Sequence, residues 1–157
     1  MLCNLCGGNR GTSAMRIYLN EAFRALGVPF TAPRTGDAGY DLYATEEAVL
    51  APGMSAAIPT GVHIEIPAGY VGIIKDRSSM ALKGVHTYGG VIDAGYRGEI
   101  KVILNNLSGQ PITIVRGQKF AQMIIVQIYM EAVETVDTLA DLTETARGEG
   151  GFGSTGQ

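Results

Sequence analysis

The stretch Ala56-Ala57-Ile58-Pro59-Thr60-Gly61-Val62-His63-Ile64-Glu65-Ile66-Pro67-Ala68-Gly69-Tyr70-Val71-Gly72-Ile73-Ile74-Lys75 holds three short runs rich in Val, Ile and Tyr. They are broken at Pro59 and at Pro67-Ala68-Gly69. Proline removes a ladder donor and glycine suits tight turns, so each break reads as a hairpin or loop between strands. The same punctuation recurs at Pro52-Gly53, Gly89-Gly90 and Ser108-Gly109-Gln110-Pro111. Strands are therefore expected at 56–58, 61–66, 70–75, 90–93, 100–105, 111–115 and 120–130. The last of these, from Phe120 to Ile128, is nearly apolar apart from Gln122, as a strand covered on both faces should be. The intervals leave almost no room for crossover helices. The chain therefore reads as all-β, a jelly-roll-like distorted barrel, and not as a doubly wound sheet.

Before this region, residues 15–26 read as one short helix. Asn20 can cap, Glu21 suits a first turn, and Gly27 then Pro29 end it. After it, Arg147 to Gln157 interleaves glycines with Phe152, Ser154 and Thr155, a composition that cannot pack a core of its own. The expected organisation is an extension with the short helix over 1–30, a barrel over 31–145 and a Gly-rich segment over 146–157.

With 157 residues, the chain has the length of one ordinary domain. Glycine occupies 22 positions, about twice its usual share of ~7%, which favours many turns. A formal charge of -3 gives no footprint for a nucleic acid polymer or an anionic membrane. No apolar run approaches the ~18 residues of a membrane helix, so a soluble, cytoplasmic protein is expected. Cys3 and Cys6 form half of a zinc or redox pattern whose second half is missing, with His63 and His86 distant in sequence. An extended leader without metal is the expectation there.

Four segments carry side chains that can do chemistry. In the tail, glycines let backbone amides approach phosphate oxygens while Ser154 and Thr155 add hydroxyl donors; without a Lys this is no Walker loop. Arg147 can fork onto a phosphate, and Phe152 offers a face for a base, so the segment reads either as a linker or as a closing lid. The run Asp76-Arg77-Ser78-Ser79 follows an apolar strand and should sit where that strand ends and amides become free. It is a second phosphate cradle or an ordinary Ser-rich turn. From Gly89 to Glu99 a hairpin-like segment sets Asp93 and Tyr96 near its bend; Asp93 is either a turn cap or a partly desolvated general base. Asp41 is a loop acid or a ligand to hydrated magnesium.

Taken together, five ordered segments resemble the motifs of the trimeric dUTPases. They are Ala38-Gly39-Tyr40-Asp41-Leu42, Arg77-Ser78-Ser79, Gly90-Val91-Ile92-Asp93 with Tyr96 and Gly98, Gly117 with Ala121-Gln122, and Arg147 with Gly150-Gly151-Phe152-Gly153-Ser154-Thr155-Gly156. The match runs from about residue 31 to the end. The resemblance implies a dUTPase-like barrel of the β-clip type. It also implies a homotrimer that splits dUTP into dUMP and pyrophosphate with Mg2+, in sites shared among subunits.

It further implies roles for individual residues. Asp93 is the base that activates water for attack on the α-phosphorus, and Tyr96 packs on the deoxyribose and excludes a 2′-hydroxyl by shape. Backbone groups around Gly90, Val91 and Ile92 meet uracil, with Lys101 and Thr87 lining the pocket. Arg77, Ser78, Ser79 and Gln122 hold the α- and β-phosphates from a neighbouring subunit, and Asp41 reaches magnesium through water. Phe152 covers the base while Arg147, Gly153, Ser154 and Thr155 close on the γ-phosphate.

Three departures from the family pattern stand out. Asp76 occupies a position usually held by Gly or Pro, placing an extra negative charge beside a phosphate site, with weaker substrate binding as the expected effect. The segment 83–89 is shorter than in many bacterial relatives and lacks their Asn, and Gly95 replaces a common acid. Two rivals remain: a dCTP deaminase-like enzyme, which shares the fold and the Arg-Ser-Ser motif, and a non-catalytic nucleotide-sensing regulator.

Overall fold

The computed structural model describes residues 14–148. Cys3, Cys6, Phe152, Gly153, Ser154 and Thr155 lie outside the described residues. In chain order the elements are β1 (Arg16–Leu19), α1 (Glu21–Arg24), β2 (Gly39–Tyr43), β3 (Ala48–Leu50), β4 (Ser55–Pro59), β5 (Val62–Glu65), β6 (Tyr70–Asp76), α2 (Ser78–Ala81), β7 (Val85–Tyr88), β8 (Val91–Ile92), β9 (Lys101–Asn106), β10 (Ile112–Ile114) and β11 (Lys119–Gln127), followed by a 3₁₀ turn at Leu139–Asp141.

Pairing is antiparallel throughout. One sheet runs β2-β11-β6-β8 and a second runs β4-β9-β7, with two further pairs, β1-β5 and β3-β10. The apolar strand β11 lies between β2 and β6, which explains its near-continuous hydrophobicity. Side chains from these layers meet in one core that includes Leu42, Ile58, Ile64, Ile74, Leu104, Phe120 and Met123. The all-β reading and each of the seven expected strands correspond to observed elements. Four more strands, β1, β2, β3 and β7, were not among those expected.

The N-terminal region departs from expectation. Residues 16–19 form a strand, where a helix over 15–26 was expected. β1 pairs with β5 in the register Arg16↔Glu65 to Leu19↔Val62, and the helix shrinks to the single turn of α1. The Asn20 cap is as read: its Oδ1 accepts from the Phe23 amide at 3.0 Å. Nor is there only one short helix, since α2 adds a second. Residue 31 marks no break in packing. Phe23 is 1% exposed in the core and meets Phe30 and Tyr43 edge-on, with ring centroids 6.1 and 5.9 Å away. At the other end the strands stop at Gln127, and residues 129–148 hold only the 3₁₀ turn and are exposed.

Candidate active site

Two depressions on one chain gather most of the expected residues that are described, though not Thr87, Gly90 or Arg147, and they share no lining residue. The larger, of about 750 Å³, is bordered by the loop before β2 and by Asp41, Arg77, Ser78, Ser79, Lys119 and Gln122. The smaller, of about 180 Å³, is formed by Val91, Ile92, Asp93, Tyr96, Glu99 and Lys101.

Local chemistry builds the first. Asp41 on β2 and Gln122 on β11 are direct cross-strand partners, so their side chains share a face. β6 ends at Asp76 and α2 begins at Ser78, so Arg77-Ser78-Ser79 sits at a strand end, as expected. The first amides with an acceptor inside this turn are those of Met80 and Ala81, both bonded to the Arg77 carbonyl, so the amides of Ser78 and Ser79 precede the ladder. The Arg77 guanidinium pairs with Asp41 Oδ1, and Lys119 Nζ lies 2.8 Å from Asp41 Oδ2. Bonding to Asp41 and to Tyr43 raises the Lys119 ammonium above its ordinary value. Gln122 Nε2 donates to the Asp76 carbonyl at 2.9 Å. Its Oε1 lies against Gly39, where an added Cβ would also fall 3.1 Å from Gln122 Cδ.

Lys119 was not among the expected site residues. Three positions before Gln122, regular strand alternation would put it on the opposite face. A register shift between Lys119 and Ala121 reverses that, and the consecutive buried pair Phe120-Ala121 is its trace.

The second depression is a shallow slot at the hairpin after β8. The Tyr96 amide bonds the Asp93 carbonyl at 3.0 Å and Tyr96 Oη donates to the Glu99 carbonyl at 2.9 Å, which pins the ring against Gly98. Asp93 is exposed in this chain, since nothing in the hairpin folds over it. The Gly90 carbonyl accepts from the Ile74 amide at 2.8 Å, so one backbone group expected at the base serves the sheet. Thr87 is half-buried on β7 and Arg147 is exposed beyond the 3₁₀ turn.

Asp76 does not line the larger depression. Its Oδ1 accepts from the Thr87 amide at 2.7 Å and its Oδ2 meets His86 Nδ1. Burial pushes this carboxyl up, but bonding from Thr87 and His86 outweighs burial and holds it below the usual carboxylate range. The charge expected beside the phosphates thus faces β7.

Comparison with known proteins fits this architecture, for the dUTPase family model matches residues 28–156. The chain belongs to the dUTPase family. Among its relatives, the deoxyuridine 5'-triphosphate nucleotidohydrolase of Corynebacterium glutamicum is 44% identical over 150 residues, 93% of this chain and 98% of that protein. The enzyme of the same name from Mycolicibacterium gilvum is 45% identical over 77% of this chain and 82% of its own length. A mutant dUTPase of Staphylococcus bacteriophage 80alpha, solved with dUpNHpp, superposes with a TM-score of 0.81 at 27% identity, covering 93% of this chain and all of that one. The dUTPase of phage phi11 of S. aureus, described with a structural Mg(II) ion, gives a TM-score of 0.71 at 27% identity, covering 80% of this chain and 98% of that one.

Proposed function

We propose that this dUTPase family member hydrolyses dUTP to dUMP and pyrophosphate in sites completed by three copies of the chain. The observation that carries the reading is the division of labour between the two depressions. One offers Arg77, Lys119, two hydroxyls and turn amides, a set suited to phosphate oxygens. The other offers a slot with a ring on one side and a carboxylate at its rim, suited to a nucleoside. Because they are separate on one chain, joining them across a subunit boundary gives one cleft for a nucleoside triphosphate. The names of the relatives support dUTP as that nucleotide.

In this mechanism Asp93 accepts a proton from water as the oxygen attacks the α-phosphorus. The bond from that phosphorus to the α,β-bridging oxygen breaks, and pyrophosphate leaves. Arg77, Ser78, Ser79 and Gln122 hold the α- and β-phosphates in line for the displacement. Tyr96 fills the space of a 2′-hydroxyl, and the backbone from Gly90 to Ile92 reads the base beside Thr87 and Lys101. Arg147, Phe152, Gly153, Ser154 and Thr155 close over the bound chain and exclude water. Cytoplasmic action on the free nucleotide pool is part of the proposal.

Among the described residues, no cluster of three or more His, Cys, Asp or Glu side chains is arranged to hold a metal. Asp41 is the carboxylate facing Arg77 and Lys119 in the cleft, and both its oxygens are engaged. This donor set fits contact with a hydrated magnesium ion through water, with the triphosphate as the main ligand. Bound there, magnesium would supply charge neutralisation on the phosphates.

Steady-state pyrophosphate release from dUTP, dTTP, dCTP and UTP, with and without magnesium, tests the reading. Selective, magnesium-stimulated turnover of dUTP is expected. Comparable hydrolysis of all four nucleotides, or ammonia release from dCTP, would overturn it.

A further inference from the structure

Asp76 ties the end of β6 to an edge strand of the other sheet and to a side chain of the neighbouring strand β11. Its carboxylate reaches from the end of β6 to β7, the edge strand of the other sheet, and takes the Thr87 amide at 2.7 Å together with His86 Nδ1. Its carbonyl accepts from Gln122 Nε2 on β11 at 2.9 Å. The next residue is Arg77, whose guanidinium is held by Asp41 on β2. One residue therefore fixes the backbone from which Arg77, Ser78 and Ser79 depart, and also the orientation of Gln122. The side chain of Asp76 is only 16% exposed, so its bond to the Thr87 amide is partly shielded from competing water, while His86 covers it from the solvent side.

From this geometry we infer that Asp76 is a positioning residue for the phosphate cradle, with its negative charge spent on β7 and not presented to the nucleotide. The inference rests on the proposed reading of the cleft as a phosphate site. It reverses the effect expected from sequence. A charge facing the phosphates would weaken binding, and its removal would tighten it. A clasp that orders the cradle does the opposite: its loss lets the strand end, the turn and Gln122 relax apart, and phosphate binding weakens. The clasp also sets the spacing between the turn at Arg77 and β7 within each chain.

The sign of the effect is measurable. In the full-length protein, Asp76→Ala should raise the KM for dUTP by about 5- to 20-fold while kcat changes less than about threefold. The affinity for dUpNHpp should fall by a similar factor, and that for dUMP, which lacks the β- and γ-phosphates, by no more than about twofold. Asp76→Asn keeps an oxygen that can accept the Thr87 amide and should recover part of the loss; a thermal melt reports whether each variant is folded. A lower KM in Asp76→Ala, or equal losses for dUpNHpp and dUMP, overturns the inference. If Asp76→Ala does not fold, a dUTP KM in Asp76→Asn equal to wild type overturns it as well. A wild-type protein inert toward dUTP would instead defeat the proposed function, whatever the Asp76 variants do.

Discussion

Tyr96 owes its pose to the absence of a side chain two residues later. A Cβ on Gly98 would stand 2.5 Å from Tyr96 Cζ and 2.8 Å from Cε2, closer than real contacts allow. Since Tyr96 is 43% exposed, the ring can swing away from an intruding methyl at little cost to the core. Gly98→Ala should therefore leave the thermal midpoint nearly unchanged but reduce the preference for dUTP over UTP by about tenfold or more. The ratio of kcat/KM for the two nucleotides reads this directly, and an unaltered ratio would remove Tyr96 from sugar discrimination. At Asp76 the same scale gives a pH dependence. Its folded carboxyl titrates below the unfolded one because bonding from Thr87 and His86 outweighs burial. The unfolded chain thus binds more protons in this range, and the contribution to stability is complete above about pH 4 and lost as pH falls through the lower folded value. Melting wild type and Asp76→Asn between about pH 5 and pH 2 should show a steeper acid loss in the wild type. Parallel curves would mean that the carboxylate charge adds nothing to stability. His86 is the ionisable group facing this carboxylate, so His86→Gln should flatten part of the difference.

Between single residues and the whole lie the strands, and here the reading from sequence succeeded unevenly. β5, β6, β9 and β11 were legible because runs of Val and Ile lie between strong breakers. β2, β3 and β7 were not: β2 and β7 carry Gly, Asp, His or Thr, β3 is only three residues long, and all three owe their form to partners far away in sequence. In residues 15–26 the cap at Asn20 was readable, yet pairing with β5 overrode helix continuity before it. The first four motif segments include about half of the residues that line the two depressions, because each holds its side chains within a few neighbouring positions, whereas the fifth lies mostly outside the described residues. Lys119 escaped because a bulge, invisible in spacing, turns it into the cleft. The facing of Asp76 escaped because it depends on β7, ten residues onward. The N-terminal elements also carry a stability prediction. Phe23 sits among Phe30 and Tyr43 with 1% exposure, so Phe23→Ala should cost about 3 to 5 kcal/mol, through lost burial and the cavity left behind. Urea unfolding should show a lower midpoint at unchanged slope, and a loss below about 1 kcal/mol would mean that α1 does not help hold the core.

For the whole molecule, the two depressions pose a problem of assembly, because one chain holds the proposed phosphate residues and the proposed nucleoside residues in separate places. If a site draws Arg77 from one copy and Asp93 from another, two inactive variants can repair each other. Arg77→Ala and Asp93→Asn should each turn over dUTP very slowly when pure. Unfolded together in equal amounts and refolded, they should form mixed assemblies in which about one quarter of the sites pair an intact Arg77 with an intact Asp93. Activity should then rise to roughly a quarter of the wild-type value per site, well above the average of the parents. A site built within one chain cannot recover in this way, since every chain in the mixture carries one lesion. Turnover equal to the mean of the two pure variants, from a mixture whose size matches the wild-type assembly, would therefore place Arg77 and Asp93 in the same copy and rule out the shared cleft.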